Sequence, residues 1–192
     1  MSGTQGLRER KKAETRLAVH RAALGLAVEK GYDGVTVEEI ADTANISRRT
    51  FFNYFSDKAD AMMYGEEERH RRLVATLRDR PAEESGWVAL RAATLELFGS
   101  FDSPDREWIA RTRLARRHPL LLARQLANLI HLEQQLATLV AERDGDTGVR
   151  PRVMVSSLLA ALRAATNVWL DDEAGSLAEA IEEGLDVLAG PY

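Results

Sequence analysis

Residues 45–58 read NISRRTFFNYFSDK. Arg48 and Arg49 do not belong in a hydrophobic core, and Phe51, Phe52, Tyr54 and Phe55 do not belong together on a solvated surface. The stretch makes sense if one short helix uses both kinds of residue. Phe51 and Phe55, four apart, share a face and turn it inward. Arg48, Arg49 and Thr50 occupy the first turn on the outer side, after Ser47 as N-cap. Asn45 tolerates the left-handed backbone that a sharp turn needs, and Ile46 anchors that turn.

Working outward, TVEEIADTA (36–44) opens with Thr36 as N-cap and Glu39 three residues on, a capping box. Val37, Ile40, Ala41 and Ala44 form its apolar face. About nine residues are too few for an isolated helix, so it must pack on neighbours. Upstream, TRLAVHRAALGLAVEKG (15–31) carries Val19, Ala22, Ala23, Leu26 and Ala27 at helical spacing and stops at Gly31. Two short helices joined by a tight turn and braced by a longer one make a helix-turn-helix. In that motif the N-terminal residues of the second helix meet base edges in the major groove. Arginine can grip guanine O6 and N7 with two parallel hydrogen bonds, and threonine can touch a thymine methyl. Lys58, at the start of the next helix, is placed to meet a phosphate. The basic run RERKK (8–12), in an N-terminal arm covering 1–11, reads either as a solvated tail or as a further phosphate or minor-groove contact.

These residues carry a family resemblance. The segment from about 10 to 62, with Gly31, Thr36, Ile40-Ala41, Ala44, Ile46-Ser47, Thr50, Phe55 and Lys58 at their spacing, resembles the DNA-binding module of the tetracycline-repressor (TetR) family. The resemblance covers about a third of the chain. It implies a dimeric, ligand-controlled transcriptional regulator, usually a repressor. The positions that contact DNA in the family fall on Thr36, Ser47, Arg48, Arg49, Thr50, Phe52, Asn53, Tyr54 and Lys58. Three departures stand out. Asn45 replaces the usual turn glycine. Phe52 lacks the hydroxyl of the usual tyrosine. Ala27 stands where a large aromatic is common, with Phe51 able to fill part of that space. Glu38 and Glu39 lie near the expected DNA face, where an outward carboxylate would repel phosphates.

The chain of 192 residues is 45% hydrophobic and has no cysteine, which excludes disulfides, thiolate metal sites and a cysteine nucleophile. Its net charge is −4, which on its own disfavours a nucleic-acid partner. The average conceals a gradient. Residues 1–58 hold 10 Lys/Arg against 8 Asp/Glu, while the remainder holds 16 against 22. With screening over about 8 Å, a phosphate responds to the local patch. No uninterrupted apolar run approaches the roughly 18 residues of a membrane span, and no apolar stretch of a secretory signal follows the basic N-terminus. A cytoplasmic location follows as the expectation.

The remainder has helical period throughout, with helices expected near 57–79, 84–101, 104–117, 119–143, 150–171 and 175–189, Pro104, Pro119 and Pro151 near starts, Ser103 as a cap, and a loop at 144–148. The fold class is all-α with about nine helices: a DNA-binding domain over 1–56 and a ligand-binding and dimerisation domain over 57–192. Trp87, Phe98, Phe101, Trp108, Arg111, Leu114, Leu126 and Trp169 are candidate lining for a partly apolar effector, or else ordinary core. The cluster Arg111, Arg113, Arg116, Arg117 and His118 reads either as a site for an anionic ligand group or as cations favoured at a helix C-terminus. A homodimer would pair the last two helices through Leu158, Leu159, Leu162, Ala165 and Trp169 on one and Leu177, Ile181, Leu185 and Leu188 on the other. The four histidines lack metal spacing, and no H-E-x-x-H or Gly-rich phosphate loop occurs, so neither a metal, a cofactor nor enzymatic activity is called for. The competing class is an all-helical small-molecule-binding protein or enzyme with an unused helix-turn-helix fragment; a helical scaffold for protein partners is the third.

Overall fold

A computed structural model describes residues 3–99, 106–172 and 175–189. Those residues form nine α-helices and no strand: α1 (Gly3–Lys30), α2 (Val37–Thr43), α3 (Arg48–Phe52), α4 (Lys58–Asp79), α5 (Gly86–Gly99), α6 (Arg106–Arg117), α7 (Pro119–Asp144), α8 (Arg150–Asp172) and α9 (Leu177–Val187). The all-α expectation holds, and most boundaries fall within two residues of the sequence reading. Three differ for physical reasons. The first helix extends back to Gly3, because Arg, Glu, Lys and Ala between 8 and 13 are strong helix formers; the expected arm at 1–11 is therefore largely helical. The recognition segment is helical only to Phe52, with Asn53 as its C-cap. Helix α9 begins later, at a capping box of Ser176 and Glu179. Ser103 and Pro104 lie outside the described residues.

Two compact units emerge, one from residues 1–68 and 106–126 and the other from 69–105 and 127–192. The boundary falls inside α4 and inside α7, so α6 and the first turns of α7 belong with the short helices.

In the first unit, Val19, Ala23 and Ala27 of α1, Ile40 of α2, Phe51 of α3 and Met62 of α4 are wholly or nearly wholly buried in one cluster. Phe51 and Ala27 both belong to that cluster. Glycine ends α1: Gly31 takes φ +74° and its N–H donates to Ala27 O at 3.0 Å. The α2–α3 turn has Asn45 at φ +54°.

In the second unit, α8 packs on α9 and α5 packs on both. Leu158, Ile181 and Leu185 are at most 1% exposed. Long polar side chains close its ends. Arg143 of α7 donates to the carbonyls of Leu77 at 3.2 Å and Arg80 at 3.1 Å, satisfying the C-terminal end of α4. Asp144 accepts from the Gly86 N–H at 2.6 Å and so holds the start of α5. Helix α8 is long and apolar enough by composition to cross a membrane. Its leucine face is packed within the unit, however, and Arg163 lies exposed in its middle.

Candidate nucleic-acid interface

The recognition helix is short, so its position depends on the frame around it. Thr36 and Glu39 form the expected capping box: the Glu39 N–H donates to Thr36 Oγ1 at 3.2 Å, and the Thr36 N–H donates to Glu39 Oε2 at 2.9 Å. Lys30 adds a bond to Glu39 at 2.6 Å. That bond first, then those from Thr36, lowers the Glu39 carboxyl to a pKa of about 2. Glu39 is thus turned to its own chain. The turn is held by the Ile46 N–H donating to Ala41 O at 2.9 Å. Ser47 caps α3, its Oγ accepting from the Thr50 N–H at 3.0 Å and sharing a hydrogen bond with Thr50 Oγ1 at 2.8 Å. Ser47 and Thr36 therefore act first as backbone caps. Phe51 is fully buried and Phe55 is 4% exposed, which fixes the rotation of α3.

That rotation sends Arg48, Arg49, Phe52 and Asn53 outward, with Thr50 and Tyr54 half-buried beside them. The two arginines differ. Arg48 pairs with Glu38 of α2 at 2.9 Å, and its guanidinium lies 5.6 Å from the Phe52 ring centroid. The Arg49 side chain makes no hydrogen bond or ion pair among the described residues, leaving all five donors available. Lys58 is more occupied than a phosphate ligand would be. Its ammonium donates to the carbonyls of Tyr32 and Val35, each at 2.8 Å, and sits 4.3 Å from the Tyr32 ring centroid. It closes the α1–α2 loop, with one N–H remaining. The sequence offered no sign of that second role, because the partners are backbone carbonyls.

Behind the helix-turn-helix lies a buried polar joint that the sequence did not disclose. His20 of α1 is 1% exposed, and its Nδ1 lies 2.9 Å from Ala61 O, which makes Nδ1 the protonated nitrogen. Burial is the main cause holding its pKa below the usual value, assisted by the nearby Arg111. Gly65 of α4 is where both side chains approach: a Cβ there would lie 2.7 Å from Arg111 Nη1 and 2.9 Å from His20 Nε2. The ring of His118 stacks on Tyr32 with centroids 4.1 Å apart, and Arg124 pairs with Asp57 at 2.7 Å.

The proposed anion cluster does not converge. Arg111 is buried beside His20, Arg116 and Arg117 are exposed, and His118 turns to Tyr32. Helical spacing spreads the cluster's four arginines around α6 rather than onto one site, and His118 follows its end. Of the candidate pocket residues, Trp108, Arg111, Leu114 and Leu126 belong to the first unit, and Trp87, Phe98 and Trp169 to the second. Phe101 lies outside the described residues. Leu126 is 41% exposed. Trp169 donates its indole N–H to Gly175 O at 3.3 Å, pinning the α8–α9 turn.

The expected dimer stripe requires correction. Leu158, Leu159, Leu162, Ala165, Trp169, Leu177, Ile181 and Leu185 are buried within the unit itself; only Leu188 is half-exposed. They are the seam between α8, α9 and α5. The outward side of the same two helices carries a further apolar surface, a groove of about 560 Å³ lined by Ala160, Ala164, Val168, Gly184 and Val187 together with Ala165 and Leu188 of the expected stripe. Periodicity alone could have found it, since Val153, Ala160, Ala164 and Val168 are a second apolar stripe on α8.

A capped, turned and anchored helix, with an arginine at its tip that has no partner among the described residues, is the arrangement of a helix-turn-helix DNA-binding protein. Comparison with known proteins agrees. Residues 20–60 match the model of bacterial regulatory proteins of the tetR family, and residues 84–192 match that of the MftR C-terminal domain. The HTH-type transcriptional regulator TcmR of Streptomyces glaucescens is 33% identical over 195 residues, covering 95% of this chain and 86% of its own. MftR of Mycobacterium tuberculosis, a regulator named for mycofactocin biosynthesis, is 30% identical over 183 residues, covering 93% and 91%. Among solved structures, SmeT, the repressor of a Stenotrophomonas maltophilia efflux pump, superposes with a TM-score of 0.64 at 18% identity over 90% of this chain and 87% of its own. FadR of Bacillus subtilis, in complex with stearoyl-CoA, gives 0.59 at 17% identity over 90% and 96%. The chain belongs to the TetR family of DNA-binding transcriptional regulators.

Proposed function

We infer that the chain acts as a cytoplasmic homodimeric repressor that binds a near-palindromic operator and is released by a small, partly apolar effector. The observation that carries this reading is the recognition helix: Phe51 is consumed by packing, while Phe52 faces outward and Arg49 at the tip has no partner among the described residues. One such helix touches few base pairs, so selectivity calls for two, placed in major grooves about 34–36 Å apart. The outward apolar groove of α8 and α9 supports pairing of two copies, since an isologous contact buries the same patch twice. In this division of labour residues 1–56 bind DNA, with Thr36, Ser47, Arg48, Arg49, Thr50, Phe52, Asn53 and Tyr54 at or beside the duplex and Lys58 joining them from just beyond that boundary. Residues 57–192 bind the effector and the second copy.

FadR with stearoyl-CoA supports an amphiphilic effector for this fold, an acyl chain joined through a neutral thioester to an anionic, phosphate-bearing head. Helix α4 begins at Lys58 beside the helix-turn-helix and ends in the second unit, so it is the element through which a ligand would act. Release requires that the effector prefer a state whose recognition helices no longer match the operator, because only differential affinity shifts the equilibrium.

The test begins with selection of duplexes from a random library by the purified chain. The reading expects an enriched near-palindrome bound by two chains, and release on adding stearoyl-CoA or a shorter acyl-CoA. Enrichment of no sequence contradicts the DNA reading; enrichment without release by any acyl-CoA contradicts the effector class alone.

A further inference from the structure

Glu38 is a carboxylate on the DNA-facing side of α2, where it should weaken every contact with phosphate. Its neighbour Glu39 is accounted for by Thr36 and Lys30. Glu38 is not part of that cap. Its Oε1 instead lies 2.9 Å from Arg48 Nη1, with 57% of its side chain and 65% of that of Arg48 exposed. The same guanidinium rests 5.6 Å from the Phe52 ring, itself 48% exposed and held edge-on to buried Phe51. Arg48 is therefore held from two sides, by a carboxylate on one helix and an aromatic face on its own, while Arg49 beside it is unpaired.

We propose that Glu38 is a specificity-determining residue: it tethers Arg48 across the α2–α3 turn, cancels its charge, and leaves base reading to Arg49 and Thr50. The inference rests on the DNA-binding reading of α3. A free arginine on a groove-facing helix binds any phosphate it reaches, which raises affinity for all sequences alike. Pairing it with Glu38 removes that indiscriminate contribution and holds the guanidinium where Phe52 stacks, so that an incorrect duplex gains little from it. An exposed ion pair of this kind is worth about a factor of two to five, enough to bias a flexible side chain without preventing its use on the correct operator.

The experiment uses the full chain and two fluorescent duplexes, the one enriched by the wild-type protein and one of random sequence, over a series of salt concentrations. Glu38→Gln keeps the side-chain length and removes the charge. It should tighten random-duplex binding by about fivefold in low salt, steepen the log affinity against log salt slope by about one unit per chain, and narrow the preference for the enriched duplex. In an Arg48→Gln background the same change should act more weakly and leave the salt slope unchanged, because it then relieves only the repulsion of phosphate by Glu38 and no arginine remains to be released. Matching thermal unfolding curves establish that each variant folds. A Glu38→Gln effect of equal size in both backgrounds would mean simple repulsion of DNA and overturn the tether; no effect in either would overturn it too. Failure of the DNA reading looks different: the wild-type chain would then bind both duplexes equally.

Discussion

The α2–α3 region and the outward face of α8 and α9 are both exposed, and they are exposed in opposite ways. Around α3 nearly every group has a partner in the chain: Thr36 and Ser47 cap, Phe51 and Phe55 pack, Lys58 closes a loop, and Arg48 is tethered. Arg49, exposed at the tip, has no partner among the described residues. The α8–α9 face is mainly apolar, with Ser157 and Glu183 as its polar members. It offers alanines, valines and a glycine in an open groove. A rigid charge suits a polyanion whose geometry is known in advance. A smooth apolar face suits a copy of itself, to which it is complementary by symmetry. The difference separates the two halves of the proposed function, and each half can be broken alone.

The largest effect is expected at the apolar face. Ala164→Glu places a charge in the groove without touching the inner seam of Leu158 and Leu162. It should convert the protein to a folded monomer by light scattering. Operator affinity should fall by about 100-fold or more, because the second recognition helix no longer binds as part of the same complex. A variant that stays dimeric would move the interface elsewhere.

Next comes Arg49→Ala, which should lose about 1–3 kcal/mol on the enriched duplex and relax the preference at one position. An equal loss on random DNA would make Arg49 a phosphate ligand instead. Lys58→Met should act on the frame. Losing two carbonyl contacts and the Tyr32 ring is expected to lower stability by about 1–3 kcal/mol in urea unfolding. A salt slope that also flattens by about one unit would identify its third donor as a phosphate ligand; an unchanged slope would confine Lys58 to the frame.

The smallest effect concerns pH. His20 is held neutral in the folded chain, with its pKa below the ordinary 6.5. The folded state therefore binds its proton less readily than the unfolded one. The stabilisation is complete above about pH 6.5 and is lost as pH falls from there through the lowered folded value. His20→Asn can keep a donor for Ala61 O without titrating there, so its stability should decline less than that of the wild type as the solution is acidified below pH 6.5. Parallel declines would remove His20 as a source of acid sensitivity. Gly65→Ala, by contrast, should destabilise at every pH, since its Cβ would meet Arg111 and His20.

The helix-turn-helix was readable in advance because its determinants are local. A capping box needs residues three apart, Asn45 turns the chain by itself, and Phe51 and Phe55 face one way by helical pitch. What stayed hidden depends on partners distant in sequence. His20 meets Ala61 and Gly65 across two helices, and Lys58 finds carbonyls in a loop more than 20 residues away. Helix α8 shows the limit of periodicity most clearly. It carries two apolar stripes, one rich in leucine and one in alanine and valine. The larger side chains drew the dimer expectation, but bulky residues are the ones that fill a chain's own core. The small ones were left outside. The cluster at 111–118, read either as an anion site or as cations at a helix C-terminus, is spread around the helix, because nearness in sequence is not nearness on a helix surface.

The most direct test of the central claim, that α3 reads a specific duplex as part of a pair, is a competition titration. Chain bound to its enriched duplex is displaced by random duplex at physiological salt, with the stoichiometry measured alongside. The account predicts two chains per duplex and a preference of about a thousandfold or more for the enriched sequence. Equal affinity for the two duplexes, or saturation at a single chain, would contradict it.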